Sequence, residues 1–206
     1  MWSFIRKAGE GYLEGSRKRP EKEGVRVFYD EFQAKKYATS SRMMNIQTEM
    51  TERALELLEM PLTNQTMLLD IGCGSGLSGM VLSQRGVRWI GFDVSLPMIQ
   101  QAQKRRVEGD MVLADMGINL PFREGVFDAA IGISCLQWLF SPTTGENCNT
   151  VLLRFFRSLK HCLTRNGRAV LQFYPENQEQ SDLVTRAARR AGLKGGVMID
   201  DAELKR

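Results

Sequence analysis

One histidine, His161, and four scattered cysteines, Cys73, Cys135, Cys148 and Cys162, are all the nitrogen and sulfur side chains that the 206 residues offer to a structural zinc. They form no C-x-x-C pair and no His/Cys cluster, so their spacing argues against a zinc site within this chain. So few cysteines also argue against a disulfide scaffold and fit reduced thiols in a nuclear or cytosolic protein. No apolar run approaches the roughly 20 residues needed to cross a bilayer. The start, Met1-Trp2-Ser3-Phe4-Ile5-Arg6-Lys7, is basic but lacks the apolar stretch of a secretory signal. The sequence points away from a membrane-spanning helix and from a zinc site within this chain.

What remains is the composition of a globular domain, 43% hydrophobic and 25% charged, with length enough for one substantial core. The net charge of +4 is compatible with an anionic partner without establishing one. Basic residues concentrate at Arg17-Lys18-Arg19, with Arg6, Lys7, Lys22 and Arg26 nearby. Lys104-Arg105-Arg106 and the group Arg186, Arg189, Arg190 and Lys194 read instead as solvated helix faces. Residues 1–27 are expected to be a flexible basic segment suited to phosphate contact. Residues 28–206 are expected to be the folded domain, opened by helices within 28–60. In the second of these, Ser41–Met60, the residues Met43, Ile46, Met50, Ala54, Leu57 and Leu58 recur at helical spacing.

From Thr66 the pattern alternates. Strands are predicted at Thr66–Ile71, Val87–Asp93, Asp110–Asp115, Phe127–Ser134 and Arg168–Tyr174, with helices between and after them. Ser95 and Pro97 mark one helix start, and Gly192 marks a helix end. The order predicts an α/β fold with a doubly wound, mostly parallel sheet, whose ligands sit at the carboxyl ends of the strands. Only the start of a sixth strand follows, near Val197, so the domain is expected to be truncated at its C-terminal end.

The first predicted strand carries the strongest chemical signal. Leu68-Leu69-Asp70-Ile71 runs into Gly72-Cys73-Gly74-Ser75-Gly76, an apolar strand that ends in an acid and then in alternating glycines. Glycines let a backbone turn approach a ligand closely, and Asp70 offers a fixed negative charge to a cationic group. Gly74 to Gly79 also satisfies G-x-G-x-x-G. A dinucleotide fingerprint, however, begins where the strand ends, and counted from Gly72 the third glycine comes one place early. Asp70 would moreover repel a pyrophosphate. A nucleoside that carries an amino acid fits better, and S-adenosylmethionine is such a molecule.

Two further acids stand at successive strand exits. Asp93, followed by Val94 and Ser95, is placed to accept ribose hydroxyls, and Asp115-Met116 to accept an adenine amino group and pack its ring. Ser134 and Trp138 at the fourth exit face donor and acceptor together, although Trp138 serves equally well as a core residue. At the fifth exit, Tyr174-Pro175-Glu176-Asn177 aims a ring and a carboxylate at the same mouth. Guanine's Watson–Crick edge offers two donors that a carboxylate can accept, so Glu176 and Tyr174 are candidates for binding that base. A helix-terminal acid is the competing reading of Glu176.

Taken in order, these stretches resemble the eukaryotic small-subunit (18S) ribosomal RNA guanine-N7 methyltransferases. The resemblance runs from Ser16-Arg17-Lys18-Arg19-Pro20-Glu21 through Phe28-Tyr29-Asp30-Glu31, Lys36-Tyr37, Ser41-Arg42-Met43 and Leu68–Gly79. It continues through Asp115-Met116-Gly117 and Gln137-Trp138 to Tyr174–Asn177. It implies the class I S-adenosylmethionine-dependent methyltransferase fold, without its last two strands, and methylation of a guanine in pre-ribosomes. It implies a nuclear setting, in nucleolus and nucleoplasm with the cytoplasm also open. A small zinc-binding activator protein would pair with the sheet edge near Asp110–Asp115. Tyr37 and Arg42 would help close the methionine end of a cofactor pocket built from Asp70, Gly72, Cys73, Gly74, Gly76, Asp93, Val94, Ser95, Asp115, Met116 and Ser134. Trp138, Tyr174 and Glu176 would position the guanine. A small-molecule methyltransferase of the same fold and a non-catalytic assembly factor are the alternatives.

Overall fold

In the computed structural model, residues 30–140 and 145–198 are described with their side chains, and Trp2–Arg6 and Ile199 by backbone alone. The chain opens with strand β1 (Trp2–Arg6), then helices α1 (Glu31–Thr39) and α2 (Ser41–Leu57). Alternation follows: β2 (Met67–Ile71), α3 (Leu77–Gln84), β3 (Arg88–Asp93), α4 (Leu96–Lys104), β4 (Asp110–Leu113) and β5 (Phe127–Ile133). A short 3-10 turn at Leu136–Phe140 leads to α5 (Cys148–Cys162), β6 (Leu163–Phe173), α6 (Gln178–Arg190) and β7 (Gly195–Ile199). Seven strands form one sheet in the order β4-β3-β2-β5-β6-β1-β7, every pairing parallel.

The expected doubly wound core is β2 to β6. Strand alternation sorts the side chains into two layers, because successive residues point to opposite faces. Leu69, Ile71, Ala130, Leu171 and Phe173 go to one face, against Phe155, Phe156 and Leu159 of α5 and Val184 of α6. Leu68, Ile131, Ile133 and Val170 go to the other, against Met50, Ala54 and Leu55 of α2 and Val81 and Leu82 of α3. Phe155 and Phe156 are fully buried, and each contributes roughly 2–3 kcal/mol through that burial. Most helices start on a side-chain cap. The Asp30 carboxylate accepts from Gln33 N–H at 2.8 Å, Ser40 caps α2, Ser95 caps α4 and Asn177 caps α6.

Two features depart from the sequence reading. Residues 1–27 are expected to be flexible, but Trp2–Arg6 form an inner strand between β6 and β7, with Trp2 opposite both Ala169 and Gly195. The rest of that segment, 7–29, lies outside the described residues. Beyond the five expected strands, β7 is the sixth whose start is expected near Val197, and β1 adds a seventh. Lastly, β6 begins at Leu163 rather than at the predicted Arg168. Phe127 pairs with Leu163 and Ala129 with Arg168, so Thr164–Gly167 bulge out opposite Asp128 alone.

Candidate active site

The glycine turn sits where β2 ends, and its backbone explains the residue choice. Gly72, Gly74 and Gly76 have φ of 67°, 52° and 77°, in the left-handed region that side chains disfavour. A Cβ on Gly72 would lie 2.6 Å from the Cβ of Cys135. The bare glycine thus lets the exit of β5 pack directly against the turn. Cys73 N–H donates to the Phe92 carbonyl at 3.0 Å, which ties the turn to β3.

Asp70 is 1% exposed, and its Oδ2 accepts from the Ser78 hydroxyl at 2.6 Å. Burial, with a smaller push from Asp93, raises its pKa to about 7 against the Ser78 hydrogen bond. Asp93, at the end of β3, clamps two backbone donors. Its Oδ2 accepts from Gly74 N–H at 2.9 Å and its Oδ1 from Ser95 N–H at 2.8 Å. Burial raises its pKa as well, and these backbone donors oppose the rise. The two carboxylates therefore meet at the glycine turn, one buried against it and the other holding it. A cationic ligand group would offset the cost of ionising both.

Asp115, just past β4, accepts from Gly117 N–H at 2.8 Å through Oδ1, which closes a tight turn. Met116 is half-buried against the α5-side core. Arg154 of α5 holds the same turn, donating to the Gly117 carbonyl from Nε at 2.9 Å and from Nη2 at 2.7 Å. Nothing in the sequence flagged Arg154, whose partner here is a backbone carbonyl rather than a motif residue.

The exits of β5 and β6 interlock. Ser134 has φ of 54°, and its N–H is shared between the backbone carbonyl of Gln172 (3.0 Å) and that residue's Oε1 (2.9 Å). Its hydroxyl also donates to Gln172 Oε1 at 2.8 Å, and Gln137 Nε2 donates to its carbonyl at 2.9 Å. Met50 of α2 brings its sulfur to Ser134 Oγ at 3.9 Å and to Tyr174 Oη at 3.7 Å. Gln172 and Met50 carry no site signal in the sequence, because a strand glutamine and a helical methionine look like ordinary core positions.

The remaining candidates are spread around this centre. Trp138 is half-buried in the 3-10 turn, and its N–H donates to the Cys135 carbonyl. Glu176 is exposed, and its Oε2 accepts from Gln180 Nε2 at 3.2 Å, close to the start of α6. Val94 is half-buried beside Asp93, and Tyr37 is half-buried on α1. Arg42 is exposed in the first turn of α2. Arg105 Nη2 donates to the Ala38 carbonyl and so ties α1 to the C-terminal end of α4. The thiols of Cys73 and Cys135 are pushed up by burial and by Asp70 and Asp93, which makes them poor nucleophiles. Among the described residues no cluster of three or more His, Cys, Asp or Glu could hold a metal. No described helix is long and apolar enough to cross a membrane.

S-adenosylmethionine fits this donor set. A buried carboxylate suits its ammonium, a clamped one its ribose hydroxyls, and the glycine cradle is a space that a Cβ would fill. A family model described as "Methyltransferase domain" matches residues 69–171. An 18S rRNA (guanine-N7)-methyltransferase from Mus musculus is 51% identical over 89% of this chain and 66% of its own. One from Schizosaccharomyces pombe is 43% identical over 87% of this chain and 67% of its own. The chain thus spans about two thirds or less of the length of such relatives, 61% for the one from Dictyostelium discoideum. Among solved structures, a TehB-like SAM-dependent methyltransferase from Corynebacterium glutamicum aligns with a TM-score of 0.61 at 20% identity, covering 79% of this chain and 84% of that one. A complex between the Haloferax volcanii Trm112 methyltransferase activator and a methyltransferase aligns with a TM-score of 0.52 at 18% identity, covering 78% and 76%.

Proposed function

Since the chain belongs to the 18S rRNA (guanine-N7)-methyltransferase family, we propose that it methylates N7 of a guanine in small-subunit ribosomal RNA. The observation that carries this reading is the convergence of Asp70 and Asp93 on the glycine turn, continued by Asp115 at the next strand exit. The cofactor is S-adenosylmethionine, whose sulfonium supplies an electrophilic methyl group.

Asp70 would hold the ammonium, the glycine turn and Asp93 the ribose, and Asp115 with Met116 the adenine. Guanine N7 carries a lone pair and no proton, so the protein needs no general base. Its task is to hold base and methyl donor in line and keep competing water out. Tyr174 would stack on the base, Glu176 would accept from its Watson–Crick edge once released from Gln180, and Trp138 would wall the mouth. Tyr37 and Arg42 would close the methionine end from α1 and α2.

A small zinc-binding activator would add a strand to β4, the exposed sheet edge nearest Asp115. Leu113 on it and Ile118 just beyond it are each 54% exposed, and a parallel edge with no partner strand among the described residues is a template for β-augmentation. Work on pre-ribosomal RNA would put the protein in the nucleus. The test is tritiated methyl transfer to small-subunit rRNA by the protein co-expressed with such an activator, followed by base analysis. Label in 7-methylguanine supports the proposal, and label in another base, or none, contradicts it.

A further inference from the structure

Position N7 is chemically alike in guanine and adenine. The neighbouring 6-substituent is what differs on that edge: an oxygen acceptor in guanine, an amino donor in adenine. A protein that methylates N7 can therefore select guanine by presenting one fixed donor beside the transferred methyl. We propose that Gln172 is that donor and sets the purine specificity of the site. The inference rests on the guanine-N7 reading above.

Three observations carry it. First, the Gln172 amide cannot flip. Its Oε1 accepts from both the N–H and the hydroxyl of Ser134, at 2.9 and 2.8 Å, so the other end of the amide is the NH2 group. Second, that Nε2 is buried and has no hydrogen-bond partner among the described residues, although Gln172 as a whole is only 1% exposed. A buried donor left unpaired is costly in free energy, so a locked amide with nothing to donate to calls for an acceptor from elsewhere. Third, it lies between the glycine turn and Tyr174. Gln172 pairs in register with Ile133 at the end of β5, and Ser134 and Cys135 follow directly, with Cys135 packed against Gly72 of the cofactor turn. Tyr174, the proposed stacking partner, is two residues on.

Met50 is the movable member of this cluster. Its thioether touches Ser134 Oγ and Tyr174 Oη, and methionine re-packs readily. A base entering beside Tyr174 displaces it and lets O6 accept from Gln172 Nε2. An adenine amino group there would face donor against donor.

Gln172→Glu is the decisive variant, because a carboxylate can still accept both Ser134 bonds while its second oxygen replaces the donor with an acceptor. At pH 8–9 the variant should transfer methyl to guanine about 10- to 100-fold less efficiently in kcat/KM, with S-adenosylmethionine affinity by calorimetry within about threefold of wild type. Transfer should recover as the pH falls and the carboxyl regains its proton, a recovery the wild type does not show. Gln172→Met, neutral and unable to donate, should lose guanine transfer at every pH. Guanine transfer by Gln172→Glu that is undiminished across the pH range overturns the proposal. So does a parallel loss of cofactor affinity, which would make Gln172 a support for the cofactor turn. If the wild-type complex methylates a base other than guanine, the functional reading itself has failed, and that result is separate from any comparison of variants.

Discussion

The Ser78 hydroxyl donates to Asp70 Oδ2 at 2.6 Å, so the first residues of α3 reach back over the glycine turn to the acid that precedes it. Strand end, turn and helix start are one hydrogen-bonded unit around a buried carboxyl. Much of the chemistry proposed for this protein depends on what that carboxyl costs the free protein and what relieves the cost.

The pH dependence of stability follows from Asp70. Its pKa rises from 3.8 to about 7 in the folded state, so between those values the folded chain holds a proton that the unfolded chain has lost. Stability should fall as pH rises from about 4 to about 7 and level off above. The contribution is roughly 2–4 kcal/mol. Asp70→Asn should remove this slope and make the free protein more stable at pH 8. Denaturant unfolding at several pH values checks this, and a variant that keeps the wild-type slope would contradict it.

Cofactor affinity should run the other way. An ammonium beside Asp70 favours the ionised form, so S-adenosylmethionine should bind more tightly as pH rises through about 7 and should release a proton below it. Asp70→Asn should bind at least about tenfold more weakly and lose the pH dependence. Calorimetry in buffers of different ionisation enthalpy reads both effects.

Gly72 and Cys135 form a testable pair. Gly72→Ala places a methyl 2.6 Å from the Cys135 Cβ at φ of 67°, and should destabilise the fold by about 1–3 kcal/mol. Adding Cys135→Gly should restore the part due to the clash and leave the part due to the backbone. Equal stability of single and double variants would show that Cys135 is not what requires the glycine.

Strand β1 should be essential to the fold. Phe4→Pro removes a ladder donor from a strand paired on both sides, and should cost about 3 kcal/mol or more. An unchanged melting temperature would show that β1 does not hold its place between β6 and β7 in solution.

Much of this was legible in the sequence. Leu68–Ile71 reads as a buried strand because all four positions are apolar or functional, and the structure buries all four. The cap at Ser95 and Gly192 beyond α6 follow local rules that tertiary packing did not override. Strand β1 was not legible, because Trp2–Arg6 mixes aromatic, apolar and basic residues, and the partners that make it a strand come from residues 169–173 and 195–199. Gln172 and Met50 were missed for a similar reason. Their significance lies in contacts with Ser134 and Tyr174, 38 residues away in one case and 124 in the other.

The central claim is best tested on the RNA itself. Small-subunit rRNA is incubated with S-adenosylmethionine and the activator-bound protein, reduced with borohydride and cleaved with aniline, which breaks the chain at 7-methylguanine. Cleavage at a single guanine, absent with Asp70→Ala, is the predicted result. An uncleaved RNA treated with a complex shown to bind S-adenosylmethionine would contradict the assignment.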